Sequence, residues 1–118
     1  MITSSCHCGS VKLTIKAAPE TVTDCNCSIC RRYGVLWAYY RTADVTLEPA
    51  DAVTDTYQRG DRTLAFHRCA RCGCVTHWSP IGREEDRMGV NARLMEPEVL
   101  ARARVRHLDG AVTEQYVD

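Results

Sequence analysis

The stretch Cys69-Ala70-Arg71-Cys72-Gly73 decides the fold of this chain, because it presents two thiols from one tight turn. A second and tighter pair, Cys6-His7-Cys8-Gly9, lies near the N-terminus and is also followed by glycine. Glycine supplies the permissive backbone that such turns need. Zinc favours four ligands in a tetrahedron, and two such pairs from distant hairpins can complete a closed site. We therefore predict a structural zinc on Cys6, Cys8, Cys69 and Cys72.

A third cluster, Cys25-Asn26-Cys27-Ser28-Ile29-Cys30, offers three thiols within six residues. With the other pairs matched to each other, no fourth cysteine is required. Three protein ligands with one open position is the general arrangement of catalytic zinc. A site made only of sulfur also suits a soft ligand such as a substrate thiol. Two alternatives fit the spacing as well: Cys74 or a histidine could close a second structural site, or Cys6 and Cys8 could pair with two members of this cluster.

The composition describes a neutral and moderately apolar chain. Its 118 residues fit one domain over 1–118, and 45% of them are apolar, which argues against disorder. Fifteen Lys and Arg balance fifteen Asp and Glu, so neither nucleic acid nor a membrane is expected as a partner. The N-terminus lacks the features of a signal peptide, and no stretch approaches the ~20 apolar residues of a membrane span. We therefore expect a cytoplasmic protein whose closely spaced cysteines bind metal rather than form disulfides.

The remaining sequence consists of short strand patterns separated by frequent turns, which predicts a mainly β fold. Ser28 is predicted to cap one helical turn that Gly34 ends. Residues 59–62 are predicted to form a hairpin turn, residues 97–100 a turn or one helical turn, and residues 105–108 either a helix or a strand. The predicted strands span residues 11–16, 21–24, 36–41, 45–47, 54–57, 64–67, 75–78 and 88–92.

Three motifs in this order resemble the glutathione-dependent formaldehyde-activating enzyme family, also named for the centromere protein V domain: Cys6-x-Cys8-Gly9, Cys25-x-Cys27-Ser28-x-Cys30-Arg31-Arg32 and Cys69-x-x-Cys72-Gly73. The resemblance covers about residues 5–91. It implies a fold similar to Mss4, a twisted set of β-sheets called a β-tent. It also implies two zinc ions per chain, a structural one on the first and third motifs and a labile, substrate-side one on Cys25, Cys27 and Cys30. The implied activity is condensation of formaldehyde with glutathione to S-hydroxymethylglutathione, formally a carbon–sulfur lyase reaction in reverse.

The first functional hypothesis is therefore an enzyme with a glutathione-like thiol as its substrate. Cys25, Cys27 and Cys30 hold a zinc that captures the thiol, and the thiolate adds to, or leaves from, a small aldehyde carbon. Arg31 and Arg32 directly follow this cluster. They could attract the carboxylates of the thiol, or simply form a solvated face.

The aromatic strand predicted at residues 36–41 provides a further candidate. Strand alternation places Trp37 and Tyr39 on one face and Tyr40 on the other. Trp37, Tyr39 and Tyr40 could wall a substrate pocket beside the cysteines, or pack in the core. His77 could act as a fourth ligand or a proton carrier, whereas the commoner role of such a histidine is structural.

Two features depart from the family pattern. Cys74 follows Gly73 where the family usually carries a small hydroxyl residue, and the longer C-terminal region of the prototype enzymes has no clear counterpart. Two other functional classes stay open. A non-catalytic zinc module could bind protein or nucleic acid, although the dispersed arginines and zero net charge disfavour nucleic acid. Clustered thiolates could also sense oxidants by releasing zinc.

Overall fold

The computed structural model describes residues 1–58, 63–82 and 86–118, and strands dominate it. The turn predicted at 59–62 lies outside the described residues. Two short helices, α1 (Cys30–Tyr33) and α2 (Pro97–Arg102), and 3-10 turns at Thr42–Asp44 and Ala92–Leu94 separate some of the strands. The strands are β1 (Ile2–Ser5), β2 (Lys12–Ile15), β3 (Thr21–Cys25), β4 (Trp37–Tyr40), β5 (Val45–Glu48), β6 (Thr54–Gln58), β7 (Leu64–Cys69), β8 (Val75–Pro80), β9 (Met88–Asn91), β10 (Arg104–Asp109) and β11 (Gln115–Tyr116).

The described strands form two sheets. The small sheet has the order β1-β2-β5, and the large sheet has the order β11-β10-β3-β4-β9-β8-β7-β6. Paired strands are antiparallel except β3 and β10, which run parallel with Thr21 opposite Arg104 and Cys25 opposite Leu108. The mainly β fold predicted from the sequence is confirmed, and its Mss4-like character stays a prediction.

Alternation along the strands gives the large sheet two different packed faces. One face is aliphatic: its buried residues Val22, Ala38 and Val90 pack in one core with Leu13 and Ile15 of the small sheet. The opposite face is aromatic, and its members include Trp37, Tyr39, Phe66 and Trp78 together with Cys25 and Cys30. Tyr40 packs against the aliphatic face, as the alternation in β4 predicted. The aromatic face therefore packs with two cysteines of the middle motif, Cys25 at the end of β3 and Cys30 in α1.

The start of α1 differs from the prediction that Ser28 caps it. The cap residue is Ile29, which makes no side-chain capping hydrogen bond. The N–H of Cys30 instead donates to Cys27 Sγ at 3.4 Å, so a cysteine sulfur, not a hydroxyl, satisfies this donor at the helix start. Gly34 ends the helix in the left-handed conformation with φ 67°, as predicted.

The C-terminal part resolves two predictions that the sequence left open. Residues 97–100 belong to α2, and residues 105–108 belong to β10, because pairing with β3 extends them. Strands β1 and β11 were not predicted, since β1 has a single apolar residue, Ile2, and β11 is only two residues long. In the described part of the chain no helix is long and apolar enough to cross a membrane.

Candidate metal centres

The first and third cysteine motifs meet in space, and we call Cys6, Cys8, Cys69 and Cys72 the four-cysteine cluster. Their Sγ atoms all lie within 4.8 Å of one another. The Sγ atoms of Cys6 and Cys8 are 3.7 Å apart, and those of Cys8 and Cys69 are 3.6 Å apart. A tetrahedron with zinc–sulfur bonds of about 2.3 Å places its sulfurs about 3.8 Å apart. The cluster therefore has the spacing and the donor chemistry of a closed four-sulfur metal site.

Backbone turns hold these sulfurs in place. Gly9 and Gly73 both adopt positive φ, at 82° and 81°, and their N–H groups donate to the carbonyl oxygens of Cys6 and Cys69. The N–H of Cys72, the hydroxyl of Ser10 and the N–H of Arg71 hydrogen-bond Cys69 Sγ at 3.2 to 3.4 Å. These bonds lower the pKa of the Cys69 thiol to about 5. The turn thus favours the thiolate that a metal binds.

Cys74 belongs beside the four-cysteine cluster and not with the other three cysteines. Its carbonyl oxygen accepts the N–H of Cys69 at 2.9 Å, and its side chain packs against the small core around Cys6 and Val11. Cys74 therefore does not join Cys25, Cys27 and Cys30 as a fourth ligand. The alternative pairing of Cys6 and Cys8 with the middle motif is likewise absent among the described residues.

The three-cysteine cluster consists of Cys25 at the end of β3, Cys27 in the following loop and Cys30 at the start of α1. Their Sγ atoms also lie within 4.8 Å of one another, with Cys25 and Cys30 buried and Cys27 half-buried. Across residues 1–58, 63–82 and 86–118, no fourth Cys, His, Asp or Glu joins this group. The cluster could therefore hold a metal ion through three sulfurs.

His77 lies elsewhere, although the sequence allowed it as a fourth ligand or a proton carrier. Its ring stacks on that of His67 with centroids 4.1 Å apart, and its Nδ1 shares a 2.8 Å hydrogen bond with the hydroxyl of Thr76. Burial, reinforced by the neighbouring His67, lowers the pKa of His77 to about 3. His77 is thus a neutral, structural histidine.

Burial and hydrogen bonds shift the pKa values of the Cys27 and Cys30 thiols in opposite directions. Trp37 Nε1 donates to Cys30 Sγ at 3.3 Å, and this indole is only 2% exposed. Burial raises the pKa of the Cys30 thiol well above its usual range, and the Trp37 N–H opposes that increase. For Cys27, burial also raises the pKa, but N–H donation from Cys30 contributes to a net lowering. A bound cation would be needed to hold all three as thiolates.

The C-terminal hairpin of β10 and β11 packs directly against the three-cysteine cluster. A Cβ added at Gly110 would lie 2.6 Å from Cys25 Sγ and 3.4 Å from Cys27 Cβ. Asn26 fastens the hairpin, because its Nδ2 donates to Asp109 Oδ1 at 3.0 Å and its Oδ1 accepts the N–H of Ala111 at 3.0 Å. Sequence reasoning missed this contact, since the resemblance ended near residue 91. The position of Asn26 between two cysteines was the available signal.

A cavity of about 270 Å³ opens beside two of these sulfurs. Four of its nine described lining residues are aromatic, and one arginine is the only charged side chain among the nine. Those residues are Cys25, Cys30, Trp37, Tyr39, Thr63, Leu64, Phe66, Trp78 and Arg87. The cavity thus joins a sulfur cluster to an apolar chamber, an arrangement that suits a small molecule with a soft donor atom.

The three substrate-binding candidates from the sequence occupy different positions. Trp37 lines this cavity and also belongs to the buried aromatic core. Arg31 and Arg32 are not among its described lining residues. Arg32 donates from Nη1 to the carbonyl oxygen of Ser28 at 2.7 Å and faces a separate groove beside Tyr33.

Arg87 is one of the cavity residues that sequence reasoning missed, together with Thr63, Leu64, Phe66 and Trp78. Its guanidinium carbon lies 4.1 Å from the centroid of the Tyr39 ring. Tyr39 pairs with Gly89 across β4 and β9, so Arg87 is a diagonal neighbour of Tyr39 just before β9. Both strands were predicted, but their pairing was not, and only that pairing brings Arg87 to the cavity.

Comparison with known proteins identifies relatives of this arrangement. Residues 1–108 match the profile of the family described as Glutathione-dependent formaldehyde-activating enzyme. A crystal structure of a Rhodobacter sphaeroides protein is similar with a TM-score of 0.70 and 28% sequence identity, over 87% of this chain and 98% of that chain. The profile match spans all cysteines of both clusters.

Proposed function

The chain belongs to the glutathione-dependent formaldehyde-activating enzyme family, and on this premise we propose that it is a zinc-dependent enzyme that forms or cleaves the carbon–sulfur bond between a small thiol and a small aldehyde. Glutathione and formaldehyde are the pair that the family description names. One observation carries the proposal: the three-cysteine cluster offers three sulfurs and lies against the cavity that Cys25 and Cys30 line. The reaction is formally that of a carbon–sulfur lyase.

The two clusters take different roles in this proposal. Four sulfurs around one centre leave no position for a substrate, so the four-cysteine cluster holds a structural zinc. Three sulfurs leave one position, so Cys25, Cys27 and Cys30 hold the zinc that meets the substrate. Sulfur-only donor sets favour zinc over hard cations such as Mg²⁺ or Ca²⁺.

When bound to the three-cysteine cluster, zinc supplies a Lewis acid that lowers the pKa of a substrate thiol and holds the thiolate in place. The thiol releases its proton to solvent, its sulfur forms a bond to the aldehyde carbon, and the carbonyl electron pair moves to oxygen, which takes up a proton from solvent. The reverse reaction breaks this carbon–sulfur bond and returns the proton to the thiol. Among the chain's own residues, Trp37 donates a hydrogen bond to Cys30 Sγ, the Gly110 turn packs closely against Cys25, and apolar side chains line the cavity beside the sulfurs.

The test measures adduct formation directly. NMR exchange spectroscopy with carbon-13 formaldehyde measures the rate at which the hydroxymethyl adduct forms, and the rate without protein is subtracted. The two thiols are glutathione and the aromatic thiol 4-(mercaptomethyl)benzoate. We expect the zinc-loaded protein to accelerate at least one of them, and Cys27→Ser to lose about 100-fold or more of that acceleration. Cys74→Ser, which changes a cysteine outside both clusters, should keep it. Equal acceleration by Cys27→Ser and the unchanged protein would contradict the role of this cluster.

A further inference from the structure

The cavity beside the three-cysteine cluster has a chemistry that restricts its substrate. Trp37, Tyr39, Phe66 and Trp78 supply four aromatic side chains, and Leu64 adds an aliphatic one. No carboxylate is among the described lining residues. A wall of this kind stabilises apolar surface by about 25 cal/mol per Å² and penalises polar groups that lose water without gaining a partner.

The volume sets a second restriction. At about 270 Å³, the cavity lies just below the range of roughly 300–1,000 Å³ typical of sites for drug-sized ligands. A compact molecule with one ring fills such a space. A tripeptide thiol has two carboxylates, an ammonium group and two peptide bonds, and most of these would have no polar partner among the described walls.

Arg87 supplies the charged contact among the described lining residues. Its guanidinium carbon lies 4.1 Å from the centroid of the Tyr39 ring. A guanidinium carries five N–H donors, so this contact leaves donors that can bind a carboxylate. The neighbouring acid, Asp86, is already engaged: it accepts Arg41 Nε at 2.9 Å and the hydroxyl of Thr42 at 2.6 Å. These bonds hold the pKa of Asp86 below its usual range. The hydrogen-bond partners of Asp86 are therefore Arg41 and Thr42, not Arg87.

We propose that the substrate thiol is a compact aromatic mercapto acid, whose sulfur reaches the three-cysteine cluster, whose ring lies among Trp37, Phe66 and Trp78, and whose carboxylate binds Arg87. This inference rests on the proposed function and names the substrate class of the same site. Arg87 is then a specificity-determining residue. The aldehyde partner and the bonds formed and broken are those given above, so no further reactant is required.

Cobalt-substituted protein tests the proposal by binding alone, because a thiol that joins a cobalt–sulfur site changes its visible absorption. The titrants are glutathione, phenylmethanethiol and the 3- and 4-isomers of (mercaptomethyl)benzoate. We expect at least one benzoate to bind about tenfold or more tightly than glutathione. Arg87→Gln should weaken the benzoates about tenfold and leave phenylmethanethiol unchanged, because a charge-assisted hydrogen bond is lost. Arg102→Gln, an exposed arginine on α2, is the matched control.

Each outcome has a distinct meaning. Tighter binding of glutathione, or an equal effect of Arg87→Gln on charged and neutral thiols, would overturn the substrate class while leaving the proposed function intact. If no thiol changes the cobalt spectrum and none is accelerated with formaldehyde, the proposed function fails together with this inference. Kinetics on the zinc protein should repeat the same order of thiols in KM.

Discussion

The two cysteine clusters contain the same donor atom but differ in what surrounds it. The four-cysteine cluster joins residues 6 and 8 to residues 69 and 72, and backbone N–H groups of its own turns hold its sulfurs. The three-cysteine cluster is made within six residues, and distant parts of the chain approach it: Trp37 from β4 and Gly110 from the C-terminal hairpin. The four-cysteine cluster brings together two distant segments of the chain. The three-cysteine cluster comes from one segment, and distant residues pack around it.

If both clusters hold zinc as proposed, this difference would explain how one fold carries a permanent and an exchangeable ion of the same element. A closed set of four sulfurs couples metal binding to folding, because its ligands come from both halves of the chain. A set of three sulfurs on adjacent turns needs no distant ligand, so its metal can leave without separating the strands. The cavity with its aromatic side chains and Arg87 lies beside the position that three sulfurs leave open. In this proposal the number of sulfurs and the residues that surround them, not the type of ligand, distinguish the structural site from the reactive one.

The largest expected effect comes from opening the four-cysteine cluster. Cys6→Ser should leave the chain largely unfolded at room temperature, because structural zinc contributes about 10–16 kcal/mol in small domains and ordinary domains have only about 5–15 kcal/mol in total. Circular dichroism during urea unfolding measures this, with Cys74→Ser as the control that keeps both clusters. A Cys6→Ser protein that unfolds at the same urea concentration as the control would show that this cluster is not the structural one.

A smaller effect is expected where the C-terminal hairpin meets the other cluster. Gly110→Ala places a methyl 2.6 Å from Cys25 Sγ, so either the hairpin or the sulfur must move. Overpacking of this kind costs about 1–3 kcal/mol, and if the sulfur moves, zinc affinity at the three-cysteine cluster should fall about 10- to 100-fold. Competition with a chromogenic chelator measures that affinity. Val112→Ala, at an exposed position of the same turn, should have no effect. Unchanged affinity in Gly110→Ala would mean that the hairpin does not position Cys25.

The smallest effect is expected from a substitution that removes the hydrogen bond of Trp37 but keeps its aromatic ring in the cavity wall. Trp37→Phe keeps an aromatic ring but removes the N–H that bonds Cys30 Sγ. Loss of such a supporting bond typically weakens metal binding or activity about tenfold or more, so we expect about a tenfold faster release of zinc from this cluster only. Cobalt–sulfur absorption should shift as well. Trp78→Phe, on the same aromatic face but without a hydrogen bond to these sulfurs among the described contacts, is the matched control. The same release rate in both variants would count against the bond.

Much of the fold could be predicted because its signals are local. The apolar alternation in β2 and β4 and the glycine that ends α1 depend only on neighbouring residues. Strand β10 could not be decided, because Val105 and Leu108 fit both a helix and a strand until β3 pairs with them. The prediction that Ser28 caps α1 was wrong, because the N–H of Cys30 bonds to Cys27 Sγ instead. Cysteine is not among the residues that usually cap helices.

The candidate site divides in the same way. The grouping of seven cysteines into two clusters follows from spacing and resemblance, and the sulfur positions agree with it. Part of the environment of the second cluster does not follow from the sequence. Arg87 lies just before β9 and Gly110 just after β10, and the order of these strands in the sheet is set by long-range pairing. Arg31 and Arg32 were attractive because they adjoin the motif, but α1 directs Arg32 toward a different groove.

Zinc counting during chelation tests the division into two unlike sites most directly. Native mass spectrometry of the zinc-loaded protein, followed over time with EDTA, should show two zinc ions per chain, one lost quickly while the fold persists and one retained. In Cys27→Ser only the retained ion should be present. Simultaneous loss of both ions with unfolding, or retention of the quickly lost ion in Cys27→Ser, would contradict the assignment of an open, exchangeable site to Cys25, Cys27 and Cys30.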